Sequence, residues 1–202
     1  MTTIYLIRHT EIYNPNKLCV GQSEIPLAEN FTVTFDWIKE RLPSTNTIKF
    51  FSSPLRRCSK LAQYLSDEKN QIDERLRDQS FGLWEMQAWD QIAAKEVEKY
   101  QNDFVNFCPK KGENLLDVNE RIHDFLSAIL SDDEQSEIVL LTHALPIRLI
   151  LAEALEIPLE NIFSLQIDYG SISKMTYDPN TQTFQVVYLN LTAGTFEELE
   201  GK

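Results

Sequence analysis

The chain has 202 residues, 43% hydrophobic and 25% charged, the balance of an ordinary globular domain and not of a disordered or collagen-like chain. Its 19 basic and 31 acidic residues leave a net charge of −12, which repels nucleic acid and anionic membranes. Apolar runs such as Ile138–Leu141 are far too short to cross a bilayer.

Cys19, Cys58 and Cys108 are far apart and odd in number; that argues against a disulfide framework or a zinc site and fits a reducing compartment. No basic segment or signal-length apolar core precedes Arg8, so the expectation is a cytoplasmic protein starting at residue 1 or 2.

Residues 3–7 (Thr-Ile-Tyr-Leu-Ile) form a β-branched and aromatic run that ends at charge, a buried strand. A loop from Thr10 to Asn30 follows, then an amphipathic helix over Phe31–Leu42 that is broken between Pro43 and Thr47. Ile48–Phe51 reads as the second strand. Ser53 and Pro54 read as N-cap and first residue of a helix carrying Leu55, Leu61, Ala62 and Leu65 on one face. Gln79–Lys111, with Trp84, Trp89 and a charged helix around Ala93–Phe107, reads as an inserted helical cap. Leu115–Leu130 is a strongly periodic helix, Glu137–Thr142 a third strand, and Pro146–Leu155 a helix after it. Ser173–Tyr177 and Phe184–Leu189 read as terminal strands joined at Asp178-Pro179-Asn180, and 192–202 as a loose tail.

Strands alternating with helices define a single α/β domain whose mainly parallel sheet is flanked by helices. Ligands of such sheets bind beyond the carboxyl ends of the strands. Arg8 and His9 end the first strand, Arg57 follows the second, and His143 ends the third. Histidine is a nucleophile at neutral pH without a metal. Arginine grips phosphate oxygens through two N–H groups and never loses its charge. Together these residues suit a phosphoryl group, with the helix starting at Ser53-Pro54 adding its dipole. A leaving alkoxide also needs an acid nearby, for which Asp78 and Glu85 are the candidates.

Leu6-Ile7-Arg8-His9-Thr10-Glu11, Ser53-Pro54-Leu55-Arg56-Arg57 and Thr142-His143-Ala144 resemble the histidine phosphatase superfamily, with its phosphoglycerate-mutase-like fold. Gly21-Gln22-Ser23-Glu24-Ile25-Pro26-Leu27, Phe81-Gly82-Leu83-Trp84-Glu85-Met86-Gln87 and Gly112-Glu113-Asn114 are similar to its α-ribazole phosphatase branch. The resemblance covers residues 3–177 and implies a three-layer sandwich. By position it makes His9 the phosphorylated nucleophile, Arg8, Arg57 and His143 the phosphate clamp, and Asp78 the proton donor where the family usually has glutamate. It gives Glu113 a supporting role and requires neither metal nor cofactor. Thr10 and Ala144 stand where the family has glycine, and Pro15 where it has asparagine, leaving Asn14 as the substitute.

Other residues carry plainer readings. Met86 and the two tryptophans of the insertion line either the substrate mouth or the core. His123 and Lys110-Lys111 read as surface, and the cysteines as small core residues.

The expected activity is metal-independent hydrolysis of a phosphomonoester through phosphohistidine. The expected partner is a small phosphorylated metabolite, with α-ribazole 5′-phosphate of cobalamin nucleotide-loop assembly implied by the resemblance. The alternatives are a broad small-molecule phosphatase, a phosphoglycerate-mutase-like phosphotransferase, or a binding protein that keeps the fold without turnover. Neither nucleic acid nor membrane is expected as a partner.

Overall fold

A computed structural model describes residues 1–44, 47–66, 69–131 and 137–200. One six-stranded sheet organises them, in the order β3-β2-β4-β1-β5-β6. Its strands are β1 (Thr2–Arg8), β2 (Ile48–Ser52), β3 (Asn70–Ile72), β4 (Glu137–Thr142), β5 (Ile172–Asp178) and β6 (Thr183–Leu191). The first four run parallel, and β5 and β6 are antiparallel. The six α-helices are α1 (Phe31–Arg41), α2 (Arg56–Ser66), α3 (Ala94–Asn102), α4 (Leu115–Leu130), α5 (Ala144–Leu155) and α6 (Ala193–Glu200).

The two central strands are apolar on both faces because both faces are covered. Ile4 and Leu6 of β1, with Ile138 and Leu140 of β4, pack under α4 and α5. Their alternating neighbours Tyr5, Ile7, Val139 and Leu141 pack under α1 and α2. Each such aliphatic side chain withdrawn from water contributes roughly 1.5–3 kcal/mol, so this pair of strands anchors whatever follows them. An Asn114–Asp117 capping box starts α4, fixing the chain just after Glu113.

The insertion is looser in regular structure than a helical cap. Between Gln79 and Lys111 lie a 3₁₀ turn at Gly82–Trp84 and one helix, α3, that stops at Asn102, short of Phe107. A small core of Cys19, Trp84 and Ile92, flanked by Phe81, Val97, Tyr100 and Phe107, holds it instead. Trp84 is therefore core, whereas Met86 and Trp89 are exposed.

Other departures have local causes. The short exposed edge strand β3 carries no periodic pattern, and α2 begins at Arg56 instead of Pro54. Cys108 is exposed. The expected tail forms α6, because Thr192 and Thr195 cap one another (Thr192 N–H to Thr195 Oγ1, 2.9 Å; Thr195 N–H to Thr192 Oγ1, 3.3 Å). Arg41 lies 4.3 Å from the Phe196 ring centre. Parts of the expected Pro43–Thr47 break and the last two residues of the tail fall outside the described residues. No described helix is long and apolar enough to cross a membrane.

Candidate active site

Strand register brings the two histidines together. Arg8 of β1 pairs with Thr142 of β4, so His9 and His143 are the next residues on adjacent parallel strands. Their ring centroids lie 5.1 Å apart in an edge-on arrangement, at the carboxyl edge where α/β sheets bind ligands.

His9 is buried, and its Nδ1 lies 2.7 Å from the Thr10 carbonyl. A carbonyl only accepts, so Nδ1 carries the proton and Nε2 keeps its lone pair. Burial, then the guanidinium of Arg57, pushes its pKa well below 6.5. The ring is thereby held neutral, the form able to attack phosphorus.

His143 is fully buried between three groups. Arg57 Nε donates to its Nδ1 at 3.2 Å, Ser53 Oγ lies 2.9 Å from its Nε2, and Cys58 Sγ is 3.5 Å from the same nitrogen. Burial, Arg57 and His9 all lower its pKa. Arg57 itself is 2% exposed and donates from Nη1 to the Ser23 carbonyl and from Nη2 to the Gly21 carbonyl, at 2.9 and 2.6 Å. Ser53 thus serves the imidazole as well as the turn before α2, where Leu55 N–H reaches its Oγ at 3.4 Å.

Asp78 completes the cluster. Its Oδ2 lies 3.9 Å from His143 Nδ1, and its side chain keeps 27% exposure at the opening. The dry surroundings beneath raise its pKa, while Arg57, the Gln79 N–H and Arg8 oppose the rise. That places a carboxyl with enhanced hold on its proton beside the His143 imidazole.

The backbone of Asp78 is gripped from below by Arg121, a residue that no motif in the sequence marks. Arg121 Nη1 donates to the carbonyls of Arg75 and Arg77 at 2.5 and 2.7 Å, and Nη2 to that of Asp78 at 2.9 Å. Its Nε pairs with Glu113 Oε1 at 2.9 Å. The other Glu113 oxygen accepts from Ser80 N–H (2.8 Å) and Gln22 Nε2 (3.2 Å). Glu113 thus links Arg121 to Ser80 and Gln22.

Glu85 and Asn14 are placed elsewhere. Glu85 Oε1 accepts from the backbone N–H groups of Gln22 (3.1 Å) and Phe81 (3.0 Å), and Oε2 accepts from Ser23 Oγ at 2.5 Å. These contacts tie two loops together and engage both carboxyl oxygens. Asn14 closes its own loop through both polar atoms onto Leu18.

Arg8 donates from Nη1 to the Ile167 carbonyl at 2.6 Å, and Tyr169 lies beneath its guanidinium, 3.6 Å from ring centre to Cζ. The same tyrosine ring is 5.5 Å from that of His9. Of the two nearby helix starts, that of α2 is engaged, since Arg56 N–H donates to the Glu24 carboxylate at 3.1 Å. The start of α5, immediately after His143, has no side-chain cap, and its dipole favours an anion there. Among the described residues no group of three or more His, Cys, Asp and Glu side chains could hold a metal ion.

A neutral imidazole with a free Nε2, two guanidiniums, an uncapped helix start and a carboxyl whose pKa is raised by burial form a site able to receive and transfer a phosphoryl group. Residues 4–191 match the model of the histidine phosphatase superfamily, branch 1. The chain belongs to that superfamily and is an enzyme of it. A relative named "Probable phosphoglycerate mutase GpmB", from Cronobacter sakazakii, is 26% identical over 185 residues, covering 88% of this chain and 86% of its own. The α-ribazole phosphatase of Shigella flexneri superposes with a TM-score of 0.84 at 21% identity, over 94% of this chain and 96% of its own. A mycobacterial glucosyl-3-phosphoglycerate phosphatase superposes with a TM-score of 0.80 at 21% identity, over 95% and 99%. The two structural likenesses concern the fold.

Proposed function

We propose that the protein hydrolyses phosphomonoesters of small metabolites in two steps through a phosphohistidine, without metal and in the cytoplasm. His9 Nε2 attacks phosphorus in line, forming the P–N bond as the P–O bond to the alcohol breaks, while Asp78 gives its proton to the departing oxygen. Water then attacks the phosphohistidine, passing a proton to the Asp78 carboxylate, and phosphate leaves with His9 restored. Arg8, Arg57 and the start of α5 stabilise charge on the phosphoryl oxygens, with His143 holding the Arg57 guanidinium through Nδ1.

The observation that carries this reading is the hydrogen bond from His9 Nδ1 to the Thr10 carbonyl, 2.7 Å, which leaves Nε2 free. Release of phosphate from a panel of phosphomonoesters without added metal, lost in His9→Ala, tests it. Motif resemblance supports α-ribazole 5′-phosphate as a member of that panel, with a place in cobalamin nucleotide-loop assembly.

The similarity to a relative named as a phosphoglycerate mutase supports a second reading, in which the phosphoryl group returns to another hydroxyl. Dependence on a bisphosphate primer separates the two.

A further inference from the structure

Tyr169 belongs to none of the three apolar clusters of the fold and keeps 39% exposure. A tyrosine that only anchors a loop buries its ring in a core. This ring instead lies against Arg8 and His9, the end of β1 and the residue after it.

The backbone is built to present it there. Ser171 N–H donates to the Asp168 carbonyl at 3.2 Å, closing a turn over Tyr169 and Gly170. Gly170 has φ +66°, and a Cβ there would stand 2.4 Å from Thr34 Cγ2, so the turn needs glycine. The turn is also stitched to the first strand. Gly170 N–H donates to the His9 carbonyl at 3.1 Å, and Arg8 N–H to the Ser171 carbonyl at 3.2 Å. On its other side Asp168 is tied to β6: its N–H donates to Asn190 Oδ1 (2.6 Å), and its Oδ2 accepts from Asn190 Nδ2 (2.7 Å). Upstream, Arg148 of α5 donates from Nε to the Leu165 carbonyl at 2.8 Å. A loop held at so many points keeps its side chain in one place.

Arg8 needs such a support. It is partly buried, and no carboxylate lies at ion-pair distance from it among the described residues. Burial lowers its pKa, and Tyr169 is the first of the groups opposing the fall. A carboxylate partner would cancel the charge and occupy the in-plane N–H groups that phosphate oxygens use. The face of a ring attracts the guanidinium from outside that plane and leaves the donors alone. Tyr169 is in close contact, 3.6 Å from ring centre to Cζ. Among the described residues only Nη1 meets a carbonyl, that of Ile167, which leaves Nη2 for a ligand.

We propose that Tyr169 is a positioning residue for phosphate capture: its ring holds the Arg8 guanidinium in place through a cation–π contact and spares the donors that receive the phosphoryl group. It acts through Arg8 and makes no bond to the reacting atoms. The proposal rests on reading the His9 site as a phosphomonoester hydrolase.

Calorimetric binding of inorganic phosphate and of orthovanadate reads the contact without turnover. Tyr169→Phe keeps the ring and is expected to bind both anions within about 3-fold of wild type. Tyr169→Leu is expected to weaken both by ~10-fold, the scale of a desolvated cation–π contact. Pentafluorophenylalanine incorporated at position 169 keeps the shape of phenylalanine but reverses the charge of its face, and a loss similar to that of leucine is expected. A ring with only a packing role would tolerate the fluorines. Beside Arg8→Met, the Tyr169→Leu change is expected to have no further effect, because the two act through one group. A fluorinated ring that binds like phenylalanine, wild-type affinity in Tyr169→Leu, or a Tyr169→Leu loss that persists beside Arg8→Met would each overturn the role. A wild-type protein that binds neither anion sinks the hydrolase reading itself, and the proposal with it.

Discussion

Arg57 Nε donates to Nδ1 of His143 at 3.2 Å, and that contact fixes which proton the ring carries. A guanidinium never accepts, so Nδ1 is the bare nitrogen and Nε2–H points at Ser53 Oγ, 2.9 Å away. Proton placement at the second histidine thus depends on the planar fork of one arginine, whose other two donors hold the Gly21 and Ser23 carbonyls. Arg57→Lys keeps the charge but not the fork. Charge-assisted hydrogen bonds contribute about 1.5–3 kcal/mol each, so kcat/KM is expected to fall by roughly 100-fold or more. Steady-state assays of phosphate release measure it; activity within a few-fold of wild type would show that charge alone suffices.

Stability should fall in mild acid. Both imidazoles have pKa values well below 6.5, burial being the main cause. Between those lowered values and 6.5 the unfolded chain binds more protons than the folded one, so stability drops as pH falls through that window. Asp78 works in the opposite sense. Its raised pKa means the folded state holds that proton longer, giving stabilisation at low pH that disappears as pH rises through the raised value. With two histidines against one carboxyl, and each proton worth ~1.4 kcal/mol per pH unit, the urea midpoint without phosphate is expected to be lower at pH 5.5 than at 7.5. His9→Gln should flatten the slope. A midpoint that rises on acidification would contradict the burial of neutral rings.

The two carboxylates of the loop region separate by leaving-group dependence. Asp78→Asn removes a proton that alkyl phosphates need and p-nitrophenyl phosphate does not. Its kcat is expected to fall about 100- to 10,000-fold for the alkyl esters and far less for the nitrophenyl ester. Glu85→Gln loosens the contacts to Gln22, Phe81 and Ser23 and should lower thermal stability and affect both esters alike. The opposite assignment of leaving-group sensitivity would make Glu85 the acid.

Gly82 adopts φ +55°, and a Cβ there would stand 2.3 Å from the Lys110 carbonyl oxygen and 2.5 Å from the Lys111 carbonyl carbon. Backbone cannot swing aside as a side chain does, and the left-handed conformation adds its own strain. Gly82→Ala is expected to cost about 2 kcal/mol or more, read as a melting temperature lower by ~4 °C or more. A melting temperature within a degree of wild type would show that the 110–112 segment yields.

The parts of the site that are legible in the sequence lie at the ends of strands. β1 and β4 announce themselves as unbroken apolar runs, and the charged residues that end them mark the site edge, so the residue pattern alone locates Arg8, His9 and His143. Ser53 has the pattern of a helix cap, yet it faces His143 because α2 starts later than Pro54 implies. Tyr169 and Arg148 carry no signal. Tyr169 lies in a loop placed by its contacts with Arg8 and His9, and Arg148 is one of two charged positions, with Glu153, on an otherwise apolar helix. Edge strand β3 has only three residues, two of them exposed, too few for a period to show. The Asn14 amide is bonded through both polar atoms to Leu18, a local pairing that the spacing of residues does not reveal.

Arg121 offers a test of positioning distinct from chemistry. It makes no hydrogen bond to the imidazoles; it donates to three carbonyls of one loop, those of Arg75, Arg77 and Asp78, while Glu113 holds it from the other side. Arg121→Met removes all of these bonds and frees the backbone that carries the Asp78 carboxyl. A drop in kcat of ~10-fold or more is expected for alkyl phosphates, since misplacing an acid by an ångström can cost about 100-fold. Loss through misplacement has a signature that general loosening lacks. The defect should be smaller for p-nitrophenyl phosphate, which needs no acid. Combining Arg121→Met with Asp78→Asn should cost little more than Asp78→Asn alone, because the two act through one group. Equal losses for both esters, or additive losses in the double variant, would reduce Arg121 to a brace for the loop with no bearing on the proton.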